Sequence, residues 1–377
     1  MMENIGLNSD IQAGDKSFHI QTQFLEPSEK IVSNVFENGK VITSRTVPVN
    51  GELKSQDLKI EVQKLHRGIS EELELLFYIS EKVATIQHAL SNNKLGMVFL
   101  GKNLFDEAIE EFKRALQIDA DFAEGYNNLG VAYIKKRMFQ EARDVLIQGI
   151  EKNENYADLQ NNLGRAYLFL HEFQPAFKQF NKALQLNPDY EGALFNLCLA
   201  NLKTIVDNAQ DSSLPSINDR IRNTKSLLTA IRESNQAFKK QYLNSALEFI
   251  EESNYNEAFK ALENAESDQV TTNEFMSLEN EFYLNFMFGG KGKDDKFVEG
   301  YTKKVQREIE KYPKYADLRN NLGIAYLIQC RNLFLKGLNE FRNALEINPE
   351  YKRAEKNLKL AENDGKGFLI LLRAILK

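Results

Sequence analysis

A segment of eight residues recurs along the chain with few changes. "YNNLGVAY" stands at 126–133, "QNNLGRAY" follows 34 residues later at 160–167, and "RNNLGIAY" stands at 319–326. Self-similarity at a period of 20–50 residues is typical of arrays in which each unit is one supersecondary motif. Because such a unit cannot bury its apolar face alone, neighbouring units must stack on one another. The period therefore predicts an elongated array of stacked units.

Each repeat carries one apolar stripe around a glycine. Leucine, glycine and an aromatic stand at positions 7, 8 and 11 of the unit, and at 100° per residue they share one helical face. Glycine inside a helix costs about 1 kcal/mol relative to alanine, so its recurrence predicts a close approach by a second helix. The alanines twelve residues after the glycines are expected at that approach. The glycines are Gly96, Gly130 and Gly164, and the alanines are Ala108, Ala142 and Ala176.

These residues resemble the tetratricopeptide repeat, a helix-turn-helix unit of 34 residues with the pattern L-G-x-x-Y…A-x-x-x-F…P. The leading tryptophan of that pattern is missing, and Asn92, Tyr126 and Gln160 stand in its place. The resemblance covers residues 89–351. It implies a mainly α protein, a helix-turn-helix solenoid with right-handed superhelical twist.

Seven units follow from the alignment of this pattern. The fourth is expected to carry an insertion around "DNAQDSSLPS", the sixth is interrupted by "GGKGKDD", and the seventh needs two extra residues near Arg331. The inserted segments near 205–218 and 289–296 are candidates for lying in the groove of the array. The units are 89–122, 123–156, 157–190, 191–238, 239–272, 273–315 and 316–351.

Asparagines mark the side of the first helix opposite the packing stripe. In the tetratricopeptide family, positions 2, 5, 6 and 9 of that helix line the concave groove. An amide both donates and accepts hydrogen bonds, so it can pair with the backbone of an extended peptide. The alternative is a polar residue tolerated on an exposed helix. Position 6 holds Asn128, Asn162, Asn196, Asn244 and Asn321, position 5 holds Asn127, Asn161 and Asn320, and Arg165 lies beside them at position 9.

The charges on this side favour one class of ligand. Position 2 is acidic in Glu124, Asp158 and Asp317, and only Lys94 and Arg165 supply positive charge nearby. The pattern does not match the lysine and arginine clamp with which some family members hold a terminal carboxylate. An acidic rim favours a peptide with basic residues. The net charge of −6 argues against a nucleic-acid partner, because phosphate binding requires a basic face.

Residues 1–85 contain no repeat and are predicted to form a small β-rich module with a long helix. Strands are expected at 17–25, 30–37 and 40–49, with Asn38-Gly39 as a hairpin turn, and a helix from Ser55 to about Leu90. The opening resembles a β-rich module that precedes tetratricopeptide arrays in some bacterial proteins. Capping of the first repeat is the expected role, and homotypic or regulatory docking is the alternative.

Residues 352–377 are predicted to form capping helices. The terminal "GFLILLRAILK" (367–377) is shorter than the ~20 apolar residues of a membrane span. Packing on the last repeat is expected, because a solenoid end needs a cover. Contact with a membrane surface or with a partner is the alternative.

No catalytic, metal or cofactor site is predicted. The four histidines lack metal-site spacing, "GGKGKDD" lacks the order of a phosphate-binding loop, and Cys198 stands at a packing position that predicts a buried thiol. The two cysteines, and an N-terminus unlike a signal peptide, favour a cytoplasmic location.

The predicted function is that of a non-enzymatic scaffold or adaptor that binds an extended protein segment in the groove. Two alternatives remain open. One is a structural component that self-associates into an oligomer, and the other is a regulatory receptor that senses a peptide.

Overall fold

The computed structural model describes residues 5–14, 16–49, 55–209, 214–234, 240–267, 271–290, 294–311, 313 and 316–375. The chain divides into two compact units, Met1–Glu281 and Phe282–Lys377.

Unit 1 begins with a four-stranded antiparallel meander. The strands are β1 (Gly6–Ala13), β2 (Lys16–Leu25), β3 (Lys30–Glu37) and β4 (Lys40–Pro48), paired in the order β1-β2-β3-β4. The predicted hairpin between β3 and β4 is confirmed, since Asn38 and Gly39 have φ of 50° and 77°. Strand β1 was not predicted because only Leu7 and Ile11 mark its inner face with large apolar side chains inside the strand.

Helix α1 (Ser55–Ala84) covers this sheet and joins it to the first repeat. It ends six residues before the predicted Leu90, where the Thr85 hydroxyl donates to the carbonyl of Lys82 at 2.7 Å. The ring of Phe77 lies 5.5 Å from Phe18 in β2 and 5.5 Å from Phe99 in the first repeat. These three rings make one continuous contact from sheet to repeat, which is the covering role expected of the module.

A polar cluster lies where α1 faces the sheet. The two ring nitrogens of His66 lie 2.8 Å from the Ser9 hydroxyl and 2.9 Å from that of Thr22, which also bonds to Ser33 at 2.7 Å. Burial lowers the pKa of His66, and the charge of His19 lowers it further, so the ring is held neutral. The cluster ties β1, β2 and β3 to one side chain of α1.

Five helix pairs follow in unit 1, one for each of the first five predicted repeats. The helices are α2 (Ala89–Gly101), α3 (Phe105–Ile118), α4 (Ala123–Lys135), α5 (Phe139–Lys152), α6 (Ala157–Phe169), α7 (Phe173–Leu186), α8 (Glu191–Val206), α9 (Ile217–Ser234), α10 (Lys240–Glu251) and α11 (Tyr255–Ser267). We call the first helix of each pair the A helix and the second the B helix.

Each A helix of the five pairs ends in the same kind of turn. One residue adopts positive φ, and the next N–H donates to the carbonyl five residues earlier, which is the Schellman arrangement. In the first pair Asn103 has φ of 59°, and Leu104 N–H reaches the carbonyl of Phe99 at 3.0 Å. The other residues with positive φ at these turns are Arg137, His171, Asn208 and Ser253.

The recurrent glycines lie where the two helices of a pair meet, as predicted. A Cβ built on Gly96 would lie 2.6 Å from Phe112, one on Gly130 would lie 2.5 Å from Leu146, and one on Gly164 would lie 2.6 Å from Phe180. The close neighbours are thus the large residues sixteen positions on, whereas the predicted contact was with the alanines twelve positions on. Those alanines are fully buried but lie further from the glycines.

Glu111, on α3, is a buried carboxylate between the module and the first repeat. It is 2% exposed, and its Oε1 accepts from the Ser80 hydroxyl at 3.1 Å and from Arg114 at 2.6 Å. Its Oε2 is buried and has no hydrogen-bond partner among the described residues. Burial raises the pKa of Glu111 to about 7, although Arg114 and Ser80 act in the opposite direction.

The remaining helices depart from the predicted repeats. They are α12 (Thr271–Met287), α13 (Asp295–Lys311), α14 (Ala316–Ile347) and α15 (Lys352–Ile375). The seventh repeat was predicted as two helices over 316–351, but α14 is one continuous helix of 32 residues. Asn332, within the span where the turn was predicted, is helical and buried, and it donates to Asp295 on α13 at 2.9 Å.

The end of the chain is also one helix, where two short capping helices were predicted. Helix α15 packs against α14, with Gly365 so close to Phe334 that a Cβ would overlap the ring, and Arg342 pairs with Glu362 at 2.9 Å. Among the described residues, every helix is too short or too polar to cross a membrane.

Gly164→Ala is expected to destabilise unit 1 by about 1–3 kcal/mol, because the added methyl overlaps Phe180. Gly68→Ala is the matched control, since its helical position has no described atom within 4 Å of the built Cβ. The control is expected to stabilise by about 0.5–1 kcal/mol, because alanine favours the helix. Chemical denaturation of both variants measures the two free energies, and shifts of the same sign would contradict the packing.

Glu111→Gln is expected to stabilise the protein more at pH 8 than at pH 5. The raised pKa means that the folded state holds a proton that the unfolded state releases above about pH 4.5. Wild-type stability from this group is therefore present at low pH and is lost as pH rises through 7, by up to about 3 kcal/mol. Melting curves from pH 5 to 8 measure this, with exposed Glu110→Gln as control. A pH-independent difference would contradict the buried carboxylate.

Candidate functional site

The asparagines at positions 5 and 6 bond to one another from repeat to repeat. The amide nitrogen of each position-6 asparagine donates to the Oδ1 of the position-5 asparagine in the preceding repeat. The bonds are Asn128 to Asn93 at 3.0 Å, Asn162 to Asn127 at 2.8 Å and Asn196 to Asn161 at 2.8 Å. We call these six residues the asparagine ladder. Sequence reasoning missed Asn93, although it stands at position 5 of the first repeat.

Most of the asparagine ladder is buried. Asn128, Asn162 and Asn196 are each 6% exposed, and Asn93 is 1% exposed. The alternative of polar residues tolerated on an exposed helix is therefore wrong for these positions. A buried amide needs hydrogen-bond partners, and the ladder provides them while linking the A helices of four successive repeats.

The ladder leaves part of each position-6 amide available. Among the described residues, none donates a hydrogen bond to the Oδ1 atoms of Asn128, Asn162 and Asn196. Each of these oxygens is held in orientation by the bond that its own amide nitrogen makes. The result is a row of oriented acceptors at the 34-residue period.

The other predicted site residues lie outside the ladder. Asn244, on α10, is exposed and its Oδ1 accepts from Arg232 at 3.4 Å. Asn320 is exposed and Asn321 is half-buried, both on α14 in unit 2, and Arg165 is half-buried on α6. Within unit 1 the structure thus brings together the predicted asparagines of repeats two to four.

Acidic residues flank the ladder and bond to it. The Glu124 carboxylate accepts from Asn93 at 2.9 Å, and the Tyr190 hydroxyl donates to Asp158 while lying 3.5 Å from the amide of Asn161. Burial and the charge of Asp158 hold the pKa of Tyr190 well above its usual range, and they raise the pKa of Tyr156 to about 12. Both phenols therefore stay protonated and can donate to the carboxylate.

A segment of α12 lies along the first repeat. Lys94 Nζ, which takes the position of the asparagines in repeat one, lies 3.2 Å from Glu279 Oε1 and 3.1 Å from Asn280 Oδ1. Lys102 Nζ lies 3.0 Å from Glu281 and also pairs with Glu72. Burial acts to lower the pKa of Lys102, but the two carboxylates outweigh it and raise that pKa. The carboxylates of α12 thus neutralise Lys94 and Lys102 at this end of the ladder. This segment is not one of the two insertions that were expected to lie in the groove.

A second concave feature lies between α5, α6 and α7, away from the ladder. It is a cavity of about 860 Å³, with Ile147, Ile150 and Leu163 among its walls. Lys178 and Lys182 lie at its edge. The cavity is open to solvent and is lined by both polar and apolar side chains, and no predicted site residue lines it.

The described residues contain no cluster of histidine, cysteine and carboxylates that could hold a metal ion. Cys198 is fully buried, as predicted, and burial raises the pKa of its thiol far above the usual range, so it stays protonated. Residues 291–293 of "GGKGKDD" lie outside the described residues.

Asn162→Ala is expected to destabilise the protein by about 1–2 kcal/mol, because it removes a buried hydrogen bond and leaves Asn127 Oδ1 without its donor. Asn244→Ala is the matched control, since Asn244 is exposed, and should stay within about 0.5 kcal/mol of wild type. Urea denaturation measures both. A double-mutant cycle of Asn127 and Asn162 with no coupling would contradict the ladder.

Three family models match the centre of the chain. They are described as "TPR repeat" over residues 96–136 and "Tetratricopeptide repeat" over 123–156 and 157–190. The last two ranges coincide with the second and third predicted units. No curated protein gives a significant match.

Solved structures of tetratricopeptide proteins are similar to parts of the chain. The crystal structure of MamA is 20% identical, with 49% of this chain and 98% of that chain covered and a TM-score of 0.37. YrrB, described as a TPR protein with an unusual peptide-binding site, is 18% identical, with coverage of 54% and 97% and a TM-score of 0.34. A tetratricopeptide repeat protein from Parabacteroides merdae is 17% identical, with coverage of 73% and 98% and a TM-score of 0.33. Similarity at this level of identity and TM-score assigns no partner and no activity to this chain.

The family identity rests on the helix pairs, the glycine contacts and the family models together. Helices α4 to α7 are two consecutive units of 34 residues whose glycines meet a large apolar residue of the B helix. The three models cover residues 96–190. Residues 96–190 are therefore tetratricopeptide repeats, and the helical repeats of unit 1 are preceded by a four-stranded β-sheet.

Proposed function

We propose that this protein is a scaffold that binds an extended segment of another protein along the asparagine ladder. The tetratricopeptide repeat is a protein-interaction module, and this makes protein binding the general function of the array. The proposal adds the place and the mode of binding.

The row of oriented amide oxygens carries the proposal. An extended segment presents backbone N–H groups that need acceptors when they leave water. The Oδ1 atoms of Asn128, Asn162 and Asn196 supply three acceptors whose orientation is set before binding. Because the ladder has already lost its side-chain freedom, binding costs little further side-chain entropy.

The charges around the ladder favour a segment with basic residues. Glu124 and Asp158 flank the ladder, while Lys94 and Lys102 are already paired with Glu279 and Glu281. A basic segment would meet the carboxylates without displacing these pairs. Binding of this kind weakens as salt screens the exposed part of the attraction.

A binding role is favoured over a catalytic one by the chemistry of the described residues. The Ser9–His66 contact has the hydroxyl of Thr22, not a carboxylate, on the second ring nitrogen. That arrangement lacks the acid that orients histidine in a nucleophilic triad. The remaining buried groups, such as Cys198 and Glu111, lie in packing interfaces.

Val131→Arg tests the proposal without disturbing the ladder. Val131 is half-buried at position 9 of α4, on the same side as Asn128, and a long cation there should block a basic extended segment. Gln140→Arg, exposed on the B helix α5, is the matched control. Peptides are selected from a random display library on the wild-type protein, and their affinities for all three proteins are measured by fluorescence anisotropy.

Val131→Arg should weaken binding of the selected peptides by tenfold or more, while Gln140→Arg should leave it unchanged. Selected peptides should be rich in lysine or arginine, and their affinity should fall at higher salt. Selection of acidic peptides, or equal affinity of both variants, would move the binding surface away from the ladder.

A further inference from the structure

The seventh repeat signature lies on α14 without the contacts that it makes elsewhere. A Cβ built on Gly323 has no described atom within 4 Å, whereas one on Gly130 or Gly164 would overlap the B helix. Tyr326, three residues on, is 47% exposed. The face that should receive a B helix is therefore uncovered among the described residues.

The rest of the first half of α14 packs as an A helix normally does. Ala325 and Ile328 are fully buried, and α14 packs against α13, whose Val298 and Val305 are buried. Ala132 and Ala166, at the position of Ala325 in repeats two and three, are also fully buried. Among the described residues, this half lacks the contact with its own B partner.

The second half of α14 shows the reciprocal pattern. It packs on α15 through Phe334 beside Gly365 and through the Arg342–Glu362 pair, as a B helix packs on the next A helix. Gly337 on this half has no described atom within 4 Å of a built Cβ. This half therefore also lacks its contact with an A helix.

The residues of this face form one stripe along α14, in which the first four are exposed and the last three are half-buried. They follow each other at spacings of three and four residues, which is the period of a helix seam that packs on another helix. Leu333, at the middle, is 66% exposed. The stripe is Gly323, Tyr326, Cys330, Leu333, Gly337, Phe341 and Ala344.

The two halves cannot meet within one chain while α14 is continuous. Gly323 and Phe341 are the pair that corresponds to Gly164 and Phe180, and 18 residues of helix separate them by about 27 Å. In an antiparallel pair of α14 helices, however, Gly323 of one chain lies opposite Phe341 of the other when the two-fold axis passes near Asn332. Such an arrangement is isologous, so each contact occurs twice.

We propose that a second copy of this chain covers the stripe, with two α14 helices packed antiparallel so that each completes the seventh repeat of the other. The complementary surface exists in the chain itself, and this is what identifies the partner as a second copy. The arrangement is an exchange of B helices between chains, in which the turn near residue 331 has become helical.

The oligomeric state gives the first test. Light scattering with size exclusion should show a dimer for wild type at micromolar concentration. Tyr326→Glu with Leu333→Glu should give a monomer of unchanged helical content. Leu360→Glu is the control, since Leu360 is 52% exposed on α15 outside the stripe, and should remain a dimer. A monomeric wild type up to about 100 μM, or a charged variant that stays dimeric, would overturn the proposal.

Engineered cysteines test the register even if the charged variant fails to fold. Gly323→Cys and Phe341→Cys are combined in a Cys330→Ser background, with each single cysteine variant as control. Mild oxidation should give a covalent dimer for the pair alone. A disulfide within one chain would mean that residues 316–351 fold back as an ordinary repeat, and absence of any disulfide would mean that the two positions do not meet. Either result would overturn the proposal.

Discussion

The contact between an A-helix glycine and a large residue of its B helix underlies the rest of the array. Phe112, Leu146 and Phe180 fill the space that a glycine leaves, and each is fully buried. In these three pairs the turn closes through a single residue with positive φ, such as Asn103. Once the pairs have this geometry, each presents the same surface to the next pair, and stacking can repeat.

The asparagine ladder depends on that repetition. Asn162 can donate to Asn127, and Asn196 to Asn161, because successive A helices lie in the same relation. The same bonds stabilise the stack and orient the amides that we propose as peptide acceptors. The helices that make these bonds, α2, α4, α6 and α8, all belong to consecutive pairs of unit 1.

The seventh repeat signature keeps one of its usual helix contacts and lacks another. Its A-helix residues still pack on α13, with Ala325 fully buried, but Gly323 meets no B helix among the described residues. A signature kept without its contact is explained if the contact is made by another copy of the chain. Binding along the ladder lies in unit 1 and pairing through α14 lies in unit 2, so the two proposals use different surfaces.

Local patterns in the sequence were enough to predict the helix pairs of the first five repeats and the β-hairpin at Asn38-Gly39, because each depends on periodicity or on one turn. They also placed Asn128, Asn162 and Asn196 on one side of the array.

Only the tertiary structure decided the rest. The burial of the amides and their bonding to Asn93, Asn127 and Asn161 depend on the distance between repeats, which no single repeat contains. The pairing of Lys94 with Glu279 joins residues 185 positions apart. The continuity of α14 and the bond from Asn332 to Asp295 on α13 join segments that the pattern of a single repeat does not relate.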